Sequence, residues 1–322
     1  MGQDHMSDTK DLQPESAIER AIERLAAAPR PAQTVNPAPA SPIEPERDPW
    51  PVEDRPATHA APGLPRVVRQ IDIDLGRLET QGIFSPARAP NRTTEEFRLI
   101  KRVALHNVHA AREAGSKNPN LIMVTSSRQK EGKSFVSFNL ALSLAAETDT
   151  TVLLIDADPS RASIIRRLGV TADPGFLDLL RDPDLDFSDV VLRTNVERLS
   201  ILPAGDPDSL STELLAGSAA ANLLEEVSHR YANRIVILDA SPVLATSEPS
   251  ALSLHVGQIV FVVDARSTSK SAIKESLNLI GACPNIGFVL NRAEPQFGSA
   301  HFGSYYKYYK KSYKKYYKSL RK

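Results

Sequence analysis

Apolar residues in the central part of the chain gather into short unbroken runs instead of alternating with polar ones. Leu121–Val124, Val152–Ile155, Ile235–Leu238 and Ile259–Val263 are such runs, with a shorter one at Gly287–Leu290. Unbroken runs of this length mark strands buried on both faces. Between them lie segments with helical spacing, Phe135–Ala146, Ala220–Arg230 and Ser269–Gly281. The alternation predicts an α/β fold with a doubly wound, mostly parallel sheet. Ligands of such sheets bind beyond the carboxyl ends of the strands, so the loops after the runs are where chemistry is expected. Upstream, Thr93–Ala111 is predicted as a helix whose apolar stripe is Phe97, Ile100, Ala104, Leu105 and Val108. The opposite side of that helix is read as carrying Glu95, Arg98 and Lys101. A weaker apolar pattern, Ile71, Ile73, Leu75 and Leu78, precedes it.

The two ends have different patterns. Ser16–Leu25 places Ile18, Ile22 and Leu25 on one helical face, and Ser16 with Glu19 forms a capping-box pattern. This short amphipathic helix either packs on its own domain or docks a partner. From Pro29 to Pro65 there are eleven prolines in 37 residues, which neither helix nor sheet accommodates. The segment reads as a disordered, partly extended tether. The expected organisation is therefore a helix in 1–28, a linker in 29–66, a folded α/β domain in 67–298 and a flexible tail in 299–322.

Charge sharpens the picture. Lys plus Arg and Asp plus Glu are both 39 in 322 residues, so the net charge is zero. Yet Ser304–Lys322 holds seven Lys, one Arg and no acid, so the tail carries +8 and the rest −8. A generally basic nucleic-acid binder is thereby disfavoured, whereas a locally basic tail is not. The single cysteine, Cys283, excludes a disulfide framework and cysteine metal clusters, and fits a reducing compartment. No run approaches the 18 apolar residues of a membrane span, and the first residues form no apolar signal segment. A cytoplasmic protein is expected.

Three loops carry candidate chemistry. After the first run comes Ser127-Arg128-Gln129-Lys130-Glu131-Gly132-Lys133-Ser134, followed by a helix from Phe135. Gly-Lys-Ser between strand and helix is the second half of a P-loop. Backbone N–H groups at a helix start cradle phosphates, the lysine reaches the β and γ oxygens, and the serine hydroxyl holds Mg²⁺. After the second run, Asp156 and Asp158 stand at i, i+2 on the same sheet edge, suited to metal and proton work. After the third, Asp239 has the Walker B arrangement.

The order of these loops, EGKS, IDAD and ILDASPVLA, resembles the bacterial tyrosine kinases of exopolysaccharide assembly, and most of all those of the PEP-CTERM (exosortase) loci. Similar features are SAIERAIERL, EEFRLIKR, LIMVTSS, LPAG before ELLAGS, and GFVLNR. The resemblance covers about residues 67–298, the first helix and the tail. It implies a P-loop ATPase of deviant Walker type, with ATP and Mg²⁺ as cofactors, that phosphorylates tyrosines in its own tail in trans within a ring. ATP would lie along Ser127–Phe135 with Asn291 on the adenine. Lys133 would neutralise the transferring phosphate and Asp156 would act as base toward the phenol. Mg²⁺ would meet Ser134, Asp158 and Asp239. Glu95, Arg98 and Lys101 match an E-x-x-R-x-x-R ring-assembly motif, with Lys in the last place. Implied partners are a membrane polysaccharide co-polymerase of the chain-length-determinant type, which would hold the protein at the inner membrane, and a tyrosine phosphatase; no nucleic acid is implied. Two departures stand out. Lys130 replaces a usual Gly, at a cost of about 1 kcal/mol if that position takes φ > 0. Ser160 replaces a usual Arg, with Arg161 following.

The tail holds Tyr305, Tyr306, Tyr308, Tyr309, Tyr313, Tyr316 and Tyr317, seven of the eight tyrosines, interleaved with lysines. As phospho-acceptors they would each add about −1.5 to −2, so four or five phosphates would cancel the tail's charge. A basic aromatic tail for single-stranded nucleic acid or anionic lipid is the alternative. For the whole chain two other classes stay open, a partitioning-type ATPase and a weakly active nucleotide-binding scaffold.

Overall fold

A computed structural model describes residues 69–83, 92–160, 163–169, 174–207, 209–230 and 233–293. The predicted helix Ser16–Leu25, the proline-rich segment 29–66, Arg161 and the tyrosine tail lie outside the described residues. The chain begins with β1 (Gln70–Ile71), α1 (Leu75–Glu79), α2 (Arg92–Glu113), β2 (Leu121–Ser126), α3 (Lys133–Ala145) and β3 (Thr151–Ala157). It continues through α4 (Ser163–Leu168), α5 (Phe176–Arg181), α6 (Phe187–Val190), β4 (Leu192–Thr194) and β5 (Leu199–Leu202). Next come α7 (Ser211–Ala216), α8 (Ser218–Arg230), β6 (Arg234–Ala240) and α9 (Glu248–Leu252). The last described elements are β7 (Gln258–Asp264), α10 (Lys270–Ile280) and β8 (Ile286–Asn291).

The eight strands form one sheet in the order β1-β4-β5-β3-β6-β2-β7-β8. From β5 to β8 all neighbours are parallel, as the unbroken runs predict. β4 pairs antiparallel with β5 and β1 parallel with β4, so the two strands at that edge run against the rest. β2, β6 and β7 are buried along their whole length. β8 departs from the expectation of burial on both faces. It is the other edge of the sheet, where Phe288 and Leu290 are 55% and 61% exposed and only the opposite side packs inward.

Helix α3 is buried on nearly all sides, which its composition dictates: FVSFNLALSLA has no polar face wide enough for solvent. It lies against the sheet with α2 packed over it, and Phe97 of α2 meets Phe135 edge to face at 6.0 Å. Thr94, Phe97, Lys101, Ala104 and Val108 are the buried positions of α2, at spacings of three and four. Ile100 and Leu105 of the predicted stripe are half-buried and pack against the core, whereas Lys101, expected on the opposite side, is corrected to the inner face. A lysine can occupy that position because its methylene stem packs while the ammonium reaches outward. Here it meets Glu147, just beyond the C-terminal end of α3, at 2.5 Å.

Candidate active site

β3, β6 and β2 are consecutive in the sheet, so the loops that follow them open side by side at one edge. The register sets Asp156 directly opposite Asp239, and Val124 opposite the same aspartate on its other side. The loop after β6 is also stitched to the root of the P-loop, with the N–H groups of Val243 and Leu244 donating to the carbonyls of Ser126 and Ser127. Thr125 Oγ1 donates to the Ser241 carbonyl at 2.7 Å.

Lys133 opens α3 and extends its ammonium to Asp158 Oδ2 at 2.5 Å. Asp158 Oδ1 accepts from Ser160 at 2.6 Å and Ser241 at 3.1 Å. Burial alone would push the Asp158 carboxyl upward, but the Lys133 ammonium and these hydroxyls hold it below the ordinary range. Burial likewise works against the charged Lys133, yet Asp239, Asp158 and Asp156 together raise it. Asp156 makes no ion pair among the described residues, and the charge of Lys133 lowers it less than burial raises it. It is fully buried, among the described residues its two oxygens accept the N–H groups of Asp158 and Ile164, and burial with the facing Asp239 pushes it up to about 8. Asp239 is reached by Ser137, whose single hydrogen is shared between Asp239 Oδ1 (2.9 Å) and the Lys133 carbonyl (3.0 Å).

The P-loop itself is clasped to the far strands. Glu131 accepts from the Arg128 N–H (2.8 Å) and from Thr268 Oγ1 (2.6 Å), and its carbonyl accepts from Asn291 Nδ2 (2.8 Å). Gly132 takes φ +102, and a Cβ there would strike the Asn291 amide, so glycine is required. Lys130 takes φ +68, the left-handed conformation anticipated for this position. Asn291 Oδ1 accepts from the Arg292 N–H, leaving its second amide hydrogen and second lone pair for any base.

A cavity of about 560 Å³ opens over this loop. Gln129, Lys130, Gly132, Lys133, Ser134, Phe135 and Asn291 line it, as the sequence predicts. Ser127, Arg128 and Glu131 do not; Ser127 and Glu131 are buried behind the loop. Asp156, Asp158 and Asp239 are also absent from the wall and meet it through Lys133. Gln81, Arg167, Pro242 and Arg292 line the cavity without having been anticipated, because each comes from an element whose approach only the tertiary fold determines. Ser137 had a signal, since it lies one helical turn beyond Lys133. The wall carries four cations and no acid, which suits a polyanion. Among the described residues no cluster of three or more His, Cys, Asp or Glu could cage a metal. Mg²⁺ does not require such a cluster, because it is ordinarily held by one or two carboxylates plus substrate phosphates.

Of the three helix residues, Glu95 and Arg98 are exposed and paired with each other at 2.5 Å, whereas Lys101 is 8% exposed and committed to Glu147. The structure does not bring the three together on one outer surface.

A solved structure of the VpsO kinase domain is 30% identical, is covered over its full length by 63% of this chain, and superposes with a TM-score of 0.50. The tyrosine-protein kinase ptk of Acinetobacter johnsonii is 31% identical over 197 residues. The chain belongs to the bacterial tyrosine kinases associated with exopolysaccharide synthesis. No protein-family model matches it. A further tyrosine kinase relative, the putative EpsB of Ralstonia solanacearum, is 29% identical over 269 residues. These matches cover 59% and 82% of this chain but only 26% and 34% of the Acinetobacter and Ralstonia proteins. The P-loop fold expected of such tyrosine kinases is the fold described above.

Proposed function

We propose that the protein is an ATP-dependent protein-tyrosine autokinase that phosphorylates the tyrosine cluster Tyr305–Tyr317 of a neighbouring copy, and thereby regulates export of a polysaccharide. The observation that carries this reading is the convergence of Lys133, Asp156, Asp158 and Asp239 on one sheet edge beneath a cavity lined only by cations and neutral groups. Lys133 stabilises the transferring phosphoryl group once it exchanges Asp158 for phosphate oxygens. Asp158 and Asp239, with the Ser134 hydroxyl, offer hard oxygen donors for Mg²⁺, which neutralises the phosphates when bound. The tyrosine oxygen attacks the γ-phosphorus, the bond to the leaving ADP oxygen breaks, and the phenol proton passes to Asp156. A proton affinity near neutrality is what a general base requires. Glu95 and Arg98 serve subunit assembly. A membrane co-polymerase and a phosphatase complete the cycle of phosphorylation and release.

Two observations favour a second reading, a scaffold that binds nucleotide and transfers nothing: Asp156 is sealed behind Lys133, and Ser160 stands where an arginine is usual. Incubation of the full chain with γ-labelled ATP and Mg²⁺ separates the readings. Label retained on tyrosine supports the kinase. Binding without label, with or without a co-polymerase, supports the scaffold, and release of free phosphate alone indicates a partitioning-type ATPase.

A further inference from the structure

Lys130 holds a conformation that glycine adopts freely and lysine does not. Strain of that kind persists where the side chain has work to do. The cavity wall indicates what work. Of its four cations, Lys133 is paired with Asp158, and Arg292 with Asp264 at 2.6 Å. Lys130 and Arg167 make no ion pair among the described residues, and no acid on the wall neutralises them. They reach the cavity from separate elements, Lys130 from the P-loop and Arg167 from α4. That helix is tied to the catalytic edge, because the N–H of Ile164 donates to Asp156 Oδ2.

We propose that Lys130 and Arg167 form a two-residue clamp on the polyphosphate of the ligand that fills this cavity. The clamp rests on the reading that the cavity takes ATP. A guanidinium engages phosphate oxygens in pairs and an ammonium acts as a point charge, so the two contributions are distinguishable. Because neither cation has an ionic partner among the described residues, each can meet the phosphates without the exchange that Lys133, paired with Asp158, and Arg292, paired with Asp264, require.

The test measures MgATP binding to the full chain by calorimetry, with thermal unfolding of the same samples without nucleotide. Lys130→Gly should unfold at the same or a higher temperature, because the strain is relieved, and yet bind MgATP about ten-fold more weakly. Arg167→Ala should weaken binding by a similar factor, and Arg167→Lys should recover part of it. Stability and affinity moving in opposite directions at Lys130 is a result that a purely structural role does not produce. Affinities within about two-fold of the unaltered protein for both Lys130→Gly and Arg167→Ala would overturn the clamp and leave the ATP reading standing. Failure of the unaltered protein to bind MgATP would overturn both.

Discussion

Asp156→Asn tests the electrostatics of the site without relying on catalysis. Asp156 titrates near 8 in the folded protein and near 3.8 when unfolded, because it is buried opposite Asp239. Between those values the folded state binds a proton that the unfolded state has lost. Stability therefore falls as pH rises through this window, by up to about 1.4 kcal/mol per pH unit, and the full penalty is present above the folded value. From about pH 5 to about pH 8 the ceiling is roughly 4 kcal/mol for this one group. Asparagine carries no such proton. It also loses one acceptor oxygen opposite the N–H groups of Asp158 and Ile164, a pH-independent cost of about 1–3 kcal/mol. The variant should thus be less stable than the unaltered protein at the acid end, with the gap closing or inverting toward the alkaline end. Urea unfolding of both proteins at several pH values, with m unchanged, measures this directly. A gap that stays constant across the range would show that Asp156 ionises normally, and the assignment of a near-neutral base would fall.

Lys133→Met should abolish tail phosphorylation and also cost about 3–5 kcal/mol, because Asp158 is left charged and buried without its partner. Adding Asp158→Asn should restore stability in urea titrations but not labelling. Lys101→Ala should lower stability by about 1–2 kcal/mol at any protein concentration, since its contact is within the chain. Replacing exposed Glu95 and Arg98 with alanine should change stability by less than about 0.5 kcal/mol. Light scattering of that double variant should nevertheless report smaller particles if the two residues hold subunits together.

The central architecture was legible because its strands are buried on both faces. Leu121–Val124, Val152–Ile155, Ile235–Leu238 and Ile259–Val263 leave no alternative to a covered parallel sheet, and the chemistry of such a sheet sits at one edge. What escaped the sequence depended on partners far along the chain. β4 and β5 are only three and four residues long, too short for a pattern. On α2 only Lys101 was misplaced, because its charge argued for the outside, whereas its phase relative to Phe97 and Ala104 places it inside. Arg167 and Gln81 reach the cavity from α4 and from beyond α1, and no local spacing announces that. The conformation of Lys130 was anticipated only through the resemblance, because glycine is usual at that position.

The clasp between Asn291 and the Glu131 carbonyl fixes where the chain leaves the sheet. Tyr305 stands twelve residues beyond Ala293, a leash of at most about 40 Å. Under the proposed function, acceptor tyrosines tethered that close to their own catalytic edge would be presented at an effective concentration on the order of millimolar. The proposed transfer to a neighbouring copy would then compete with self-modification, and the kinetic order in total protein would tell which one prevails. A labelling rate per molecule that is indifferent to dilution marks the intramolecular route, whereas a rate that falls on dilution marks the neighbour's.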